Sequence, residues 1–253
     1  MITKILPIFL SKTTQRVEKM LAEYHYLLSQ NQEQALLFDL EKAMNPKSQN
    51  AELLETDIKF ILKKDPALAD KQTTEVFLYK SLILTYLHRI AHQIYERGDT
   101  TSARMLSEIN REITGAEIHP GVKIGQSIFI DHPTGFIAGE SASIGDYFHG
   151  HGQVLLGSDG INNGVKRHPT IGNNVTIWPK ANILGAIEVG DNAIVGADAM
   201  ITEDVPDNST VVGYNFLIKE NGVNMRMDLK DYHRKQFLIL LSSSRMEGNI
   251  RTF

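Results

Sequence analysis

The chain has 253 residues, 42% of them apolar, which supports a sizeable core and excludes wholesale disorder. Lys plus Arg total 26 against 30 Asp plus Glu, and a net charge of -4 gives no electrostatic footing for nucleic acid or an anionic membrane. There is no cysteine, so disulfides, thiolate metal sites and a cysteine nucleophile are excluded. No apolar run approaches the ~20 residues that span a bilayer. The first twelve residues carry only Lys4 before their apolar stretch and no small-residue cleavage site, so they do not read as a secretory signal. The expected compartment is the cytoplasm, with neither nucleic acid nor membrane as a partner.

Residues 1–113 read as a helical domain. Its clearest segment runs from Thr74 to Gly98, where Val76, Tyr79, Ile83, Tyr86, Leu87, Ile90 and Ile94 fall at three- and four-residue steps. Gly98 suits the left-handed residue past a helix end, and Asp99 can cap the next helix, which carries Met105, Leu106 and Ile109. Pro66 places Asp65 at a helix end or in a turn.

The period changes near Gly115. Ile118, Ile124, Ile130, Phe136, Ala142, Phe148 and Val154 stand six apart. After a break, Ile171, Ile177, Ile183, Val189, Val195 and Ile201 keep the same step. Val175, Ala181, Ile187, Ala193, Ala199 and Val205 follow that second set by four residues. This is the hexapeptide repeat of a parallel β-helix, in which three hexapeptides close one triangular coil and stacked coils bury the repeated aliphatics. The predicted fold class is α+β, with the β-helix over 114–220. Its left hand is what hexapeptide proteins imply; the period alone does not supply it.

Leu155 to Thr170 break the period and hold many turn formers, from Gly157 to Gly164, so they read as a loop thrown out of the coil. Residues 221–253 read as a separate tail. Met225 to Leu241 is helix-compatible and ends in the apolar run Phe237 to Leu241.

Two histidines stand out as chemical groups. His132 follows the inward Ile130 by two residues and should point outward, and His168 sits at the foot of the loop. Histidine is the side chain suited to take a hydroxyl proton near neutral pH, and such a base needs a carboxylate to orient it. Glu117 and Glu140 both stand within reach in sequence. Against this, a lone histidine in a loop is more often structural. The dipeptide His-Pro also recurs at His119, His132 and His168.

Several motifs fall in a fixed order: Asp57-Ile58, Lys64-Asp65-Pro66-Ala67, Ile118-His119-Pro120, Lys123-Ile124-Gly125, Ile130-Asp131-His132-Pro133-Thr134-Gly135, Gly139-Glu140 and Lys166-Arg167-His168-Pro169. Ile183-Leu184-Gly185, Ile187-Glu188-Val189-Gly190 and Val205-Pro206 follow. Over about residues 50–215 the chain resembles the serine acetyltransferases. The resemblance implies acetyl transfer from acetyl-CoA to L-serine, with His132 as general base and Glu117, where the family has Asp, as its orienting carboxylate. It implies that Asp65 and Asp131 hold the substrate ammonium and that Arg167 and His168 hold its carboxylate. Glu140 would be the partner of His168. Coenzyme A would lie along a coil edge between subunits, near Gly157, Ser158, Pro179, Ala197 and Gly213. The chain departs from the family near that path, at Gly157-Ser158-Asp159-Gly160, Trp178-Pro179-Lys180 and Gly213-Tyr214-Asn215-Phe216, and at Phe148-His149-Gly150-His151.

The resemblance implies a trimer or a dimer of trimers. No metal is called for. Many family members insert a tail ending in Ile into O-acetylserine sulfhydrylase. Here Ile250 is followed by Arg251, Thr252 and Phe253, so no tight complex of that kind is expected. Two other functions fit the residues less well: transfer from another donor or to another hydroxyl, and an inactive regulatory homologue.

Overall fold

The computed structural model describes residues 2–68, 73–160, 166–236 and 239. Five long helices come first: α1 (Ile2–Tyr24), α2 (Gln30–Ala43), α3 (Gln49–Lys64), α4 (Lys80–Glu96) and α5 (Thr100–Thr114). Local chemistry sets their ends. Ser29 forms a capping box with Gln32, Ser48 accepts from the Ala51 amide, and Asp99 accepts from the Ser102 amide. Gly98 (φ 90°) and Gly115 (φ 78°) take the left-handed conformation that follows a helix. The segment expected to be one helix from Thr74 is broken. Thr73–Leu78 is a 3₁₀ turn, and Tyr79 is extended before α4 begins. Among the described residues, no helix is long and apolar enough to cross a membrane.

From Glu117 onward the chain winds as a left-handed parallel β-helix of about four turns. Its first face stacks Glu117–Ile118, Ile137–Ala138, Leu155–Gly157, Asn182–Leu184 and Met200–Ile201. The second stacks Lys123–Ile124, Ser143–Ile144, Thr170–Ile171 and Glu188–Val189. The third stacks Phe129–Asp131, His149–His151, Thr176–Ile177, Ile194–Val195 and Ser209–Val212. Parallel registers such as Ile118 on Ala138 and Ile183 on Ile201 build aliphatic ladders inside the prism. The small second set, from Val175 to Val205, is also inside, with Ile187 only partly buried.

The first half of the repeat hides a slip. Ile118 pairs with Ala138 and Ile130 with Gly150, steps two residues longer than three hexapeptides. The extra residues lie in the corner Asp131–Gly135. After it, Phe136, Ala142, Phe148 and Val154 keep the step of six but take the inward place two residues before each strand centre. The loop is also shorter than expected. Leu155–Gly157 is a strand of the first face, and Thr170 opens a strand of the second. The break in period comes from the residues inserted between them.

Corners are paid in left-handed residues. At one edge, Asn174, Asn192 and Asn208 all have φ near 55° and link their side-chain amides at 2.9 and 3.0 Å. Asparagine tolerates this conformation better than most side chains.

The tail differs from expectation. Phe216–Glu220 and Val223–Asp228 form an antiparallel hairpin that extends the third face. The helix begins only at Leu229 and is described through Gln236. Buried Leu229 and Tyr232 seat it on the coil, and His233 Nε2 lies 2.7 Å from the Asp204 carbonyl. Residues 237–238 and 240–253, with Ile250 and Phe253, lie outside the described residues.

Helices and coil are joined by a buried ion pair. Arg89 of α4 grips both carboxylate oxygens of Asp57 of α3, at 2.5 and 3.1 Å. Asp57 also accepts from Thr85 Oγ1 and from the Ile128 amide of the coil, and Arg89 donates to the Gly125 carbonyl. The Asp57 side chain is 0% exposed and that of Arg89 is 5%. Removing one partner of such a pair leaves a buried charge, at a cost of about 3–5 kcal/mol. Asp57→Ala should therefore lower unfolding stability by about that amount in denaturant titration; a loss under about 1 kcal/mol would contradict the role given to this pair.

Candidate active site

Asp131 ends a strand of the third face, and His132 opens the lengthened corner. His132 has φ 48° and a side chain 95% exposed. Its Nε2 lies 3.8 Å from Asp131 Oδ1. The coil above must come close to hold this corner. Gly152 donates to the Asp131 carbonyl at 2.9 Å, and a Cβ on Gly152 would sit 2.2 Å from the His132 carbonyl oxygen. Only glycine fits there.

Asp65 arrives from the other side, as the C-cap of α3. Its Oδ1 accepts from the Ala67 amide at 2.8 Å, and its Oδ2 accepts from the Tyr79 hydroxyl at 2.5 Å. Burial and that bond raise the Tyr79 phenol above its ordinary range. The break at Tyr79 thus serves the site, because the extended residue turns its ring towards Asp65. Asp65, Asp131, His132, His151 and Lys180 line one cleft of about 710 Å³. Nearby, burial and the adjacent His151 ring push the His149 imidazole down to about 4.

A second group forms at the next edge, between the first and second faces. Arg167 donates to Glu140 at 2.6 Å, and the Tyr95 hydroxyl donates to the other Glu140 oxygen at 3.1 Å. The Arg167 bond holds the Glu140 carboxyl below its usual range. Ser141 anchors the loop foot. Its Oγ accepts from the Arg167 and His168 amides, and its carbonyl accepts from Lys166 Nζ. His168 Nδ1 accepts from the Ser141 amide at 3.2 Å, which leaves the proton of the neutral ring on Nε2. Burial, then the Arg167 charge, lowers the His168 pKa and favours that neutral form. The ring lies where a Gly139 side chain would be, since a Cβ there would meet Nε2 at 2.1 Å.

The expected site residues therefore divide between two edges of one prism. Asp65, Asp131 and His132 gather at the edge between the third and first faces. Pro179, Ala197 and Gly213 occupy the corners stacked above His132, with Asp198 donating to the Pro179 carbonyl. Glu140, Arg167 and His168 gather at the other edge, with Gly157 at the end of the strand above Ala138 and Ser158 after it. Two expected pairings differ in the chain. Glu140 bonds Arg167 and Tyr95, while His168 Nδ1 is held by Ser141. Glu117 lies on the first face and pairs with Arg104 and Arg111, both at 3.4 Å; the carboxylate recorded beside His132 is Asp131. Tyr79, Tyr95 and Ser141 were missed from sequence. Nothing in spacing marks them, because each acts through a contact made only on folding.

Comparison with known proteins agrees with this architecture. Residues 168–203 match the family model described as bacterial transferase hexapeptide (six repeats). A serine acetyltransferase of Staphylococcus aureus is 42% identical over 171 residues, which are 67% of this chain and 79% of that one. The crystal structure of Neisseria gonorrhoeae serine acetyltransferase in complex with serine is 33% identical. It has a TM-score of 0.66 and covers 83% of this chain and 79% of its own. The Brucella abortus serine acetyltransferase in complex with coenzyme A is 26% identical. Its TM-score is 0.71, with coverage of 88% and 84%. The helical region, the hexapeptide coil and the identity across most of a relative's length agree: this chain is an acyltransferase that belongs to the serine acetyltransferase family.

Proposed function

We propose that the chain transfers the acetyl group of acetyl-CoA to the hydroxyl of L-serine, giving O-acetylserine and free coenzyme A. The observation that carries this reading is the convergence of Asp65, Asp131 and His132 on one cleft. Two carboxylates suit an ammonium, and the exposed imidazole beside them suits a hydroxyl proton. A sugar or other neutral acceptor has no use for the pair. Relatives solved with serine and with coenzyme A support the choice of substrates.

In this reading His132 takes the serine hydroxyl proton as the oxygen attacks the thioester carbon. The tetrahedral intermediate collapses, the carbon–sulfur bond breaks, and the imidazolium returns its proton to the thiolate. Arg167 and the Nε2–H of His168 hold the substrate carboxylate. Coenzyme A follows the corners at Pro179, Ala197 and Gly213, with Gly157 and Ser158 facing it from the other edge. The serine clamps sit on different edges, so a complete site needs the third-to-first edge of one copy against the first-to-second edge of the next. A threefold trimer closes such head-to-tail contacts into a ring. Holding hydroxyl and thioester together then adds rate by proximity.

A thiol-release assay with acetyl-CoA should show turnover only when L-serine is present; release driven equally by a sugar, or none at all, would overturn the reading. His132→Ala should lower kcat by about 10²–10⁴-fold with the oligomer intact. A variant keeping over about a tenth of the rate would not have lost a general base.

Asp65→Asn and Arg167→Ala should each raise the Michaelis constant for serine about tenfold or more, since each leaves one charge of the zwitterion unpaired. Unchanged constants in both would remove the amino-acid clamp from the account.

A further inference from the structure

One strand of the third face carries a pattern the proposed reaction does not use. His149 and His151 flank Gly150 and point to the same outer side of the coil, with His149 paired to Phe129 and His151 to Asp131. Gly150 is forced by the interior, where a Cβ would meet the Phe148 ring at 2.6 Å. Outside, four rings stack in a column. Phe129 and His149 are 4.9 Å apart and within 7° of parallel, His149 and His151 are 4.5 Å apart, and His151 and Trp178 are 4.8 Å apart. Two imidazoles are thereby held side by side, with His151 at the wall of the cleft.

Their nitrogens are set up unequally. His151 Nδ1 lies 2.8 Å from the Ile177 carbonyl, which can only accept, so the proton sits on Nδ1 and Nε2 keeps its lone pair. A carbonyl behind the ring is the usual support for a metal-binding histidine. His149 Nε2 is buried and has no hydrogen-bond partner. Asp131 adds a carboxylate, and one ligand atom from each of the three residues lies within 4.8 Å of the others. Asp131 and His151 also line the cleft, so a ligand position there is open to solvent.

We propose that Asp131, His149 and His151 form a binding site for a divalent transition metal of the zinc and cobalt class. Two imidazoles and one carboxylate favour such ions over magnesium or calcium, which take oxygen ligands. Bonds of about 2.0–2.2 Å require the three side chains to draw together by small rotations. This departs from the sequence expectation of no metal. The functional consequence rests on the reading above. Asp131 is assigned there to the substrate ammonium, so metal and amino group compete for one carboxylate, and the ion acts as an inhibitor against serine.

The test begins with metal-free full-length protein titrated with CoCl₂ and then ZnCl₂, read by visible cobalt absorption and calorimetry. One ion per chain is expected, bound at micromolar concentration or tighter. His149→Phe keeps an aromatic ring in the stack and removes the ligand nitrogens, and Asp131→Asn removes the charge. Each should weaken cobalt binding by at least about tenfold, with circular dichroism and oligomer mass unchanged. Binding of equal strength in both variants, or none in the wild type, would overturn the site whatever the reaction proves to be. In steady-state assays zinc should raise the apparent Michaelis constant for serine and leave kcat unchanged. Inhibition that serine cannot relieve would overturn the competition while leaving the binding result to stand alone.

Discussion

The buried pair between Asp57 and Arg89 sets the geometry from which the rest follows. It is made by two helices, yet it also bonds the coil, through the Ile128 amide and the Gly125 carbonyl. The helices are thus fixed to the first turn of the prism by directional bonds as well as by packing. Asp57 and Asp65 lie on and at the end of the same helix. Locking the first therefore places the second opposite the corner that carries Asp131 and His132. Ser81 extends the same join, with its hydroxyl accepting from the Ile130 amide at 3.0 Å. A buried ion pair adds little net stability over a well-packed apolar pair. What it supplies here is a single orientation of helix against coil, and the cleft depends on that orientation.

The coil contributes a different kind of order. Its interior repeats, so its corners stack, and any residue placed at a corner is repeated in position by residues one turn above and below. The corner at Asp131–Gly135 interrupts this with two extra residues. The extension, together with the left-handed backbone of His132, lifts the imidazole clear of the wall. Such strain costs of order 1 kcal/mol and persists where neighbours over-determine it. Gly152 pressed against the His132 carbonyl is that neighbour.

Much of this was legible in the sequence, and the failures have physical causes. The step of six is a direct image of the prism, so the fold was readable from Ile118 to Ile201. The slip at Asp131–Gly135 was not, because Phe136 through Val154 continue the numerical step while changing their inward place. Both inward places accept apolar side chains, so composition could not separate them. The tail hairpin could have been found. Asn221-Gly222 joins the two strands, and both residues have positive φ, the signature of a two-residue hairpin turn. The partners of Glu117 and Glu140 were not accessible, since spacing fixes the coil turn but not which arginine or tyrosine arrives from another element.

In the proposed reaction, the arrangement on two edges makes a demand that a single chain does not meet. His132 and His168 are separated by the breadth of the first face, and both are assigned to one substrate. Mixed oligomers test this directly. The His132→Ala and His168→Ala chains, each inactive alone, would be co-expressed with different tags, and the hybrid oligomer isolated through both tags. If each site joins one edge of a chain to the other edge of its neighbour, every threefold ring that contains both chains has one of its three sites with both histidines, and activity returns to about a third of wild type. Hybrids no more active than their parents would mean that each chain holds its own complete site, and the account of the two edges would be wrong.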